Sequence, residues 1–87
     1  MACKKVHSSI QTIMNDLPFD QGGIGRHKCA ACAYEKGYND GQKHIEHIDL
    51  ALIIDNLDES QAKAQRHKSP HAAYALGYYN GIKDSYL

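Results

Sequence analysis

Apolar residues return along this chain at helical spacing. Between His7 and Leu17, residues Ile10, Ile13, Met14 and Leu17 stand at i, i+3, i+4 and i+7, which is the signature of one buried helix face. Ser8 or Ser9 can cap this helix. Pro18 ends it, because the residue before a proline is pushed out of helical geometry. Phe19 to Gly25 carries three glycines and predicts a loop. A second helix is predicted from about Lys28 to Asp40, with Gly41 as its C-terminal signal. The first pattern then comes back: His47, Leu50, Ile53, Ile54 and Leu57 occupy the places of His7, Ile10, Ile13, Met14 and Leu17. Asp58 to Gln65 replaces the glycine loop and is predicted to be partly helical. The last helix is predicted from Pro70 to about Lys83, with Ser69 as N-cap and Pro70 in the first helical position.

The return is a duplication of the whole pattern. Aligned without a gap at an offset of 40, residues 7–47 and 47–87 are identical at thirteen of forty-one positions, where unrelated segments of average composition share about two or three. The densest agreement is Arg26-His27-Lys28 against Arg66-His67-Lys68, followed by Ala33, Tyr34, Gly37, Tyr38 and Gly41 against Ala73, Tyr74, Gly77, Tyr78 and Gly81. The predicted fold is all-α: two tandem helix-loop-helix repeats, about 7–46 and 47–87, forming one pseudo-two-fold four-helix domain over residues 1–87. Cys29, Ala33, Gly37 and Gly41, like Ser69, Ala73, Gly77 and Gly81, are spaced by four and so form a stripe of small residues on one helix face. Such stripes let two helix backbones come unusually close. The alternative is that a ligand approaches the backbone there.

Composition narrows the function. Ten basic and ten acidic side chains give a net charge of zero. That argues against a generally basic nucleic-acid surface and against an acidic disordered chain. The longest apolar run, Leu50 to Ile54, is far too short to span a membrane, and no signal-peptide pattern is present. Three cysteines, an odd number, fit a reducing cytoplasm better than a disulfide framework. A core of this size, interrupted by glycines, is marginal alone, so a homo-oligomer is expected.

The candidate chemistry sits in the duplicated segment. Arg26, His27, Lys28 and Arg66, His67, Lys68 each precede a predicted helix, where free N–H groups and the positive dipole end favour an anion. Tyr34, Tyr38, Tyr74 and Tyr78 lie one turn apart in pairs and offer aromatic faces with hydroxyls. Cations beside aromatic faces suit a nucleotide, phosphate on the one and base on the other. The competing structural reading is a solvated basic turn and tyrosines that pack between helices. His27, Cys29 and Cys32, completed by His44 or His47, could form a zinc site, but the second copy has Ser69 and Ala72 in place of the cysteines, so the shared feature is not this metal. His27 and His67 could serve as acid and base in phosphodiester cleavage, although no spacing places them at one scissile bond.

The functional expectation is therefore a non-enzymatic protein that binds, and in doing so sequesters, an anionic, nucleotide-like small molecule, with no cofactor. In size and design, not in motif, the chain is similar to small phage-encoded sponge proteins that sequester nucleotide signals. The alternatives are a structural or protein-interaction helical module and a phosphodiester-cleaving enzyme using His27 and His67.

Overall fold

The computed structural model describes residues 13, 17–18, 28–46, 48–58 and 68–87. Among these residues the chain is all-α, with no strand. It holds helices α1 (Ala30–Gln42), α2 (Leu50–Asp55) and α3 (Pro70–Ser85). The four-helix expectation thus meets three helices. The predicted helix from His7 to Leu17 lies outside the described residues except at Ile13 and Leu17, as do the loop from Phe19 to Gly25 and most of Asp58 to Gln65. Among the described residues no helix is long and apolar enough to cross a membrane.

Each helix begins with a side-chain cap, and three different residues do the work. Cys29 Sγ accepts from the Cys32 N–H at 3.4 Å, Asp49 Oδ1 from the Leu52 N–H at 3.2 Å, and Ser69 Oγ from the Ala72 N–H at 3.0 Å. Each satisfies one of the donors that a helix start leaves without an intrahelical partner. Pro70 follows Ser69 in the first turn, as predicted. α2 is shorter than its apolar pattern suggested. It closes at Asp55, where the Asn56 side chain donates to the Leu52 carbonyl at 3.0 Å.

Gly41 does not end α1. The helix runs on to Gln42, with Lys43 as C-cap, and Gly41 is buried inside it. The left-handed residue that normally invites glycine is His44, at φ 54°. Its N–H donates to the Gly41 carbonyl at 3.0 Å, and Ile45 N–H reaches Asp40 at 3.1 Å, the closing bonds of a helix C-terminus. Glycine at 41 answers a packing demand instead.

That demand comes from α3. A Cβ at Gly37 would stand 2.2 Å from the Tyr74 carbonyl oxygen, and one at Gly77 would stand 2.2 Å from that of Tyr34. One turn on, Gly41 meets the Tyr78 carbonyl and Gly81 that of Tyr38 at the same 2.2 Å. These contacts advance in step along both helices, so α1 and α3 run parallel. All four obstacles are backbone, which cannot swing aside. Each glycine therefore admits a carbonyl where any side chain would exclude it, with weak C–H···O attraction across the seam. Ala33 and Ala73 are fully buried. Around this seam the core takes in Leu17, Cys29, Cys32, Tyr34, Tyr74 and, from α2, Ile54.

Candidate functional site

Because α1 and α3 are parallel, their N-termini lie at the same end of the pair, with Lys28 and Lys68 just ahead of them. Arg26, His27, Arg66 and His67 lie outside the described residues. The two lysines turn toward main-chain carbonyls. Lys28 Nζ donates to the carbonyls of Asp55 and Leu57 at 3.1 and 3.0 Å, and so caps the C-terminus of α2 with a positive charge where the dipole favours one. Lys68 Nζ donates to the Leu17 carbonyl at 2.9 Å. Leu17 stands where Leu57 stands in the other copy, so the two lysines make the same contact. Alongside them Cys29 N–H donates to Asp58 at 2.8 Å and Ser69 N–H to Pro18 at 2.7 Å.

The first turn of α1 is closed to solvent, whereas that of α3 is buried at Ser69, Pro70 and Ala73 and half-buried at His71 and Ala72. Ala30 and Ala31 have no exposed surface, and Cys29 and Pro70 are fully buried.

The four tyrosines are ordered as the sequence predicts, in two stacked pairs. Ring centroids are 6.4 Å apart for Tyr34 and Tyr38, and 6.3 Å apart for Tyr74 and Tyr78. Their hydroxyls cross between the copies. Tyr74 donates to Asp40 Oδ2 at 2.5 Å, Tyr34 accepts from Asn80 Nδ2 at 3.0 Å, Tyr38 donates to Asp84 Oδ2 at 2.5 Å, and Tyr78 donates to the Ile45 carbonyl. Asp40 is buried and also pairs with Lys36 at 3.2 Å, one turn back on α1. Burial, then the Asp40 carboxylate, pushes the Tyr74 phenol well above the usual tyrosine range. The hydrogen bond to Asp84 pushes Tyr38 in the same direction. Both phenols stay protonated because each must donate to an anion.

The zinc candidates are dispersed among caps and turns. Cys29 serves as an N-cap, Cys32 is buried in the first turn of α1, and His44 meets the Ser85 hydroxyl at 2.7 Å and the Tyr86 ring at 5.3 Å. His27 and His47 lie outside the described residues. Among the described residues no group of three His, Cys, Asp or Glu could hold a metal.

One feature escaped the sequence reading. A groove of about 420 Å³ lies between α1 and α2, lined by Cys32, Glu35, Lys36 and Asn39 on one side and by Ile53, Asn56, Leu57 and Asp58 on the other. Its polar rim is the outward face of α1, where the two copies differ in sequence; a search for what is shared passes over it. Comparison with protein-family models, curated proteins and solved structures finds no match.

Proposed function

We propose that this chain is a non-enzymatic helical interaction module, in which the duplicated Arg-His-Lys-to-glycine segment is scaffold and recognition is left to the outward faces. The observation that carries this reading is that Lys28 and Lys68 are both held on main-chain carbonyls, beside a first turn of α1 that is closed to solvent. Side chains chosen to hold a ligand are expected to point to an opening. Here Lys28 and Lys68 are bonded to carbonyls outside the helix pair, and the four tyrosine hydroxyls are bonded between the copies. In this reading the two halves close as a pseudo-two-fold four-helix domain, the fourth helix coming from residues 7–17. The reciprocal contacts support that arrangement: Gly37 on Tyr74 and Gly77 on Tyr34, Lys28 on Leu57 and Lys68 on Leu17.

A second reading keeps the anion site. The parallel course of α1 and α3 favours it, since Arg26 and His27 precede one helix and Arg66 and His67 the other at the same end. These four side chains would hold a two-phosphate or nucleotide-like ligand between the copies. A thermal-shift series with phosphate, nucleotides and cyclic dinucleotides separates the two. The module reading expects no rise in melting temperature. The anion reading expects a rise by linkage, abolished by Arg26→Gln or Arg66→Gln.

A further inference from the structure

The two copies agree on the inward face of α1 and α3 and part company on the outward one. Glu35, Asn39, Gln42 and Glu46 in the first copy correspond to Ala75, Tyr79, Ile82 and Tyr86 in the second. All four changes run from polar to apolar. The four later residues are spaced i, i+4, i+7 and i+11, one stripe on α3 and its C-cap. Ala75 is exposed, Tyr79 is 62% exposed and Tyr86 75%, while Ile82 is half-buried between them. The fold does not demand this stripe, because the matching face of α1 is polar at every one of these positions.

We infer that the stripe of Ala75, Tyr79, Ile82 and Tyr86 is the contact surface for a second copy of this chain, with the two α3 helices antiparallel across a two-fold axis near Asn80 and Gly81. The order of side-chain sizes selects this occupant. In an antiparallel pairing Ala75 of each copy faces the large ring of Tyr86, and Tyr79 faces Ile82, so bulk meets space at each end. A parallel pairing would set Tyr86 on Tyr86 and Ala75 on Ala75, crowding one end and leaving a gap at the other. It would also juxtapose the two Lys83 ammonium groups, which the antiparallel register separates. Lys83 lies over its own Tyr79 ring at 5.9 Å. Self-contact of this one face about a two-fold axis closes at a dimer and does not propagate. The exposed parts of the two tyrosines with their neighbours amount to roughly 400 Å² per copy. The total of about 800 Å² falls just short of the roughly 1,000 Å² expected of a specific interface before its rim is counted. A dimer that dissociates on dilution follows.

This inference rests on the module reading and names its partner. Sedimentation velocity of the full chain from low micromolar to near-millimolar concentration tests it, on the wild type and on Tyr79→Glu, Ile82→Glu and Asn39→Glu. The expected result is a monomer–dimer equilibrium in the wild type. Tyr79→Glu and Ile82→Glu should be monomeric throughout with unchanged circular dichroism, and Asn39→Glu on the polar face should keep the wild-type equilibrium. A wild-type chain monomeric at every concentration overturns the inference. If Tyr79→Ser then lowers the melting temperature, the stripe is covered within the chain; if it does not, the stripe takes a different partner. A dimer that survives both glutamates also overturns it, by placing the contact elsewhere. None of these outcomes bears on the nucleotide thermal shift, so failure of the dimer and failure of the module reading remain separable.

Discussion

Gly37 and Tyr74 meet where a helix has no room for a side chain: a Cβ on Gly37 would lie 2.2 Å from the Tyr74 carbonyl oxygen. The mirrored contact of Gly77 with Tyr34 makes this a two-sided lock. Replacing Gly37 or Gly77 by alanine gains intrinsic helix propensity, by about 1 kcal/mol. The overlap with backbone outweighs that gain, since the helices must separate along the whole seam. Each alanine should lower stability by about 1–3 kcal/mol net, read from chemical denaturation. A stabilised Gly37→Ala would mean that the helices do not touch there.

Asp40 and Asn80 occupy equivalent places and serve the opposite tyrosines, Tyr74 and Tyr34. Asp40→Asn should therefore be tolerated, at a cost under about 1 kcal/mol, because an amide oxygen can still accept from Tyr74 though without charge assistance. Tyr74→Phe should cost more, about 1–3 kcal/mol, because it strips a buried carboxylate of its donor. The reverse order of these two variants in urea denaturation would contradict the pairing.

Alkaline titration should expose the same bonds. The phenols of Tyr74 and Tyr38 titrate higher in the folded chain than the ordinary value near 10. Above that value the unfolded chain releases protons that the folded chain retains. Stability from this source is thus complete below pH of about 10 and lost as pH rises toward the folded values. Melting temperature should fall steeply above pH of about 10, and the fall should be shallower in a Tyr38→Phe/Tyr74→Phe variant. Parallel pH profiles for the two proteins would refute the assignment.

His44 holds a left-handed backbone with φ 54°, in an exposed turn. His44→Gly removes the Cβ penalty of that conformation and gives up the Ser85 and Tyr86 contacts. A net gain of about 0.5–1 kcal/mol is expected, read as a higher melting temperature. A loss would show that the contacts with Ser85 and Tyr86 outweigh the backbone strain.

The helical class, the Ser69-Pro70 start and the small-residue seam were legible in the sequence, because spacing of four and local capping chemistry depend on near neighbours. Gly41 was misread as a terminator for the same reason: sequence shows a glycine near a helix end, and only the approach of Tyr78 explains it. The partners of Lys28 and Tyr74, Leu57 and Asp40, were not legible, because they lie some thirty positions away. Nothing in a one-dimensional pattern pairs an ammonium with a distant helix end. The outward stripe of α3 became visible only once the shared inward face was known, since its information lies in the differences between copies.

On the module reading, Lys28 and Lys68 hold the fold together through the Leu57 and Leu17 carbonyls. Thermal melting of Lys28→Met and Lys68→Met, each with and without phosphate and nucleotides, tests it most directly. Each variant should lose about 1.5–3 kcal/mol, since charge-assisted hydrogen bonds to partly buried carbonyls are removed. No ligand should raise the melting temperature of the wild type. Unchanged melting in both variants, together with a ligand-induced rise in the wild type that the variants lose, would contradict it and return the lysines to a binding site.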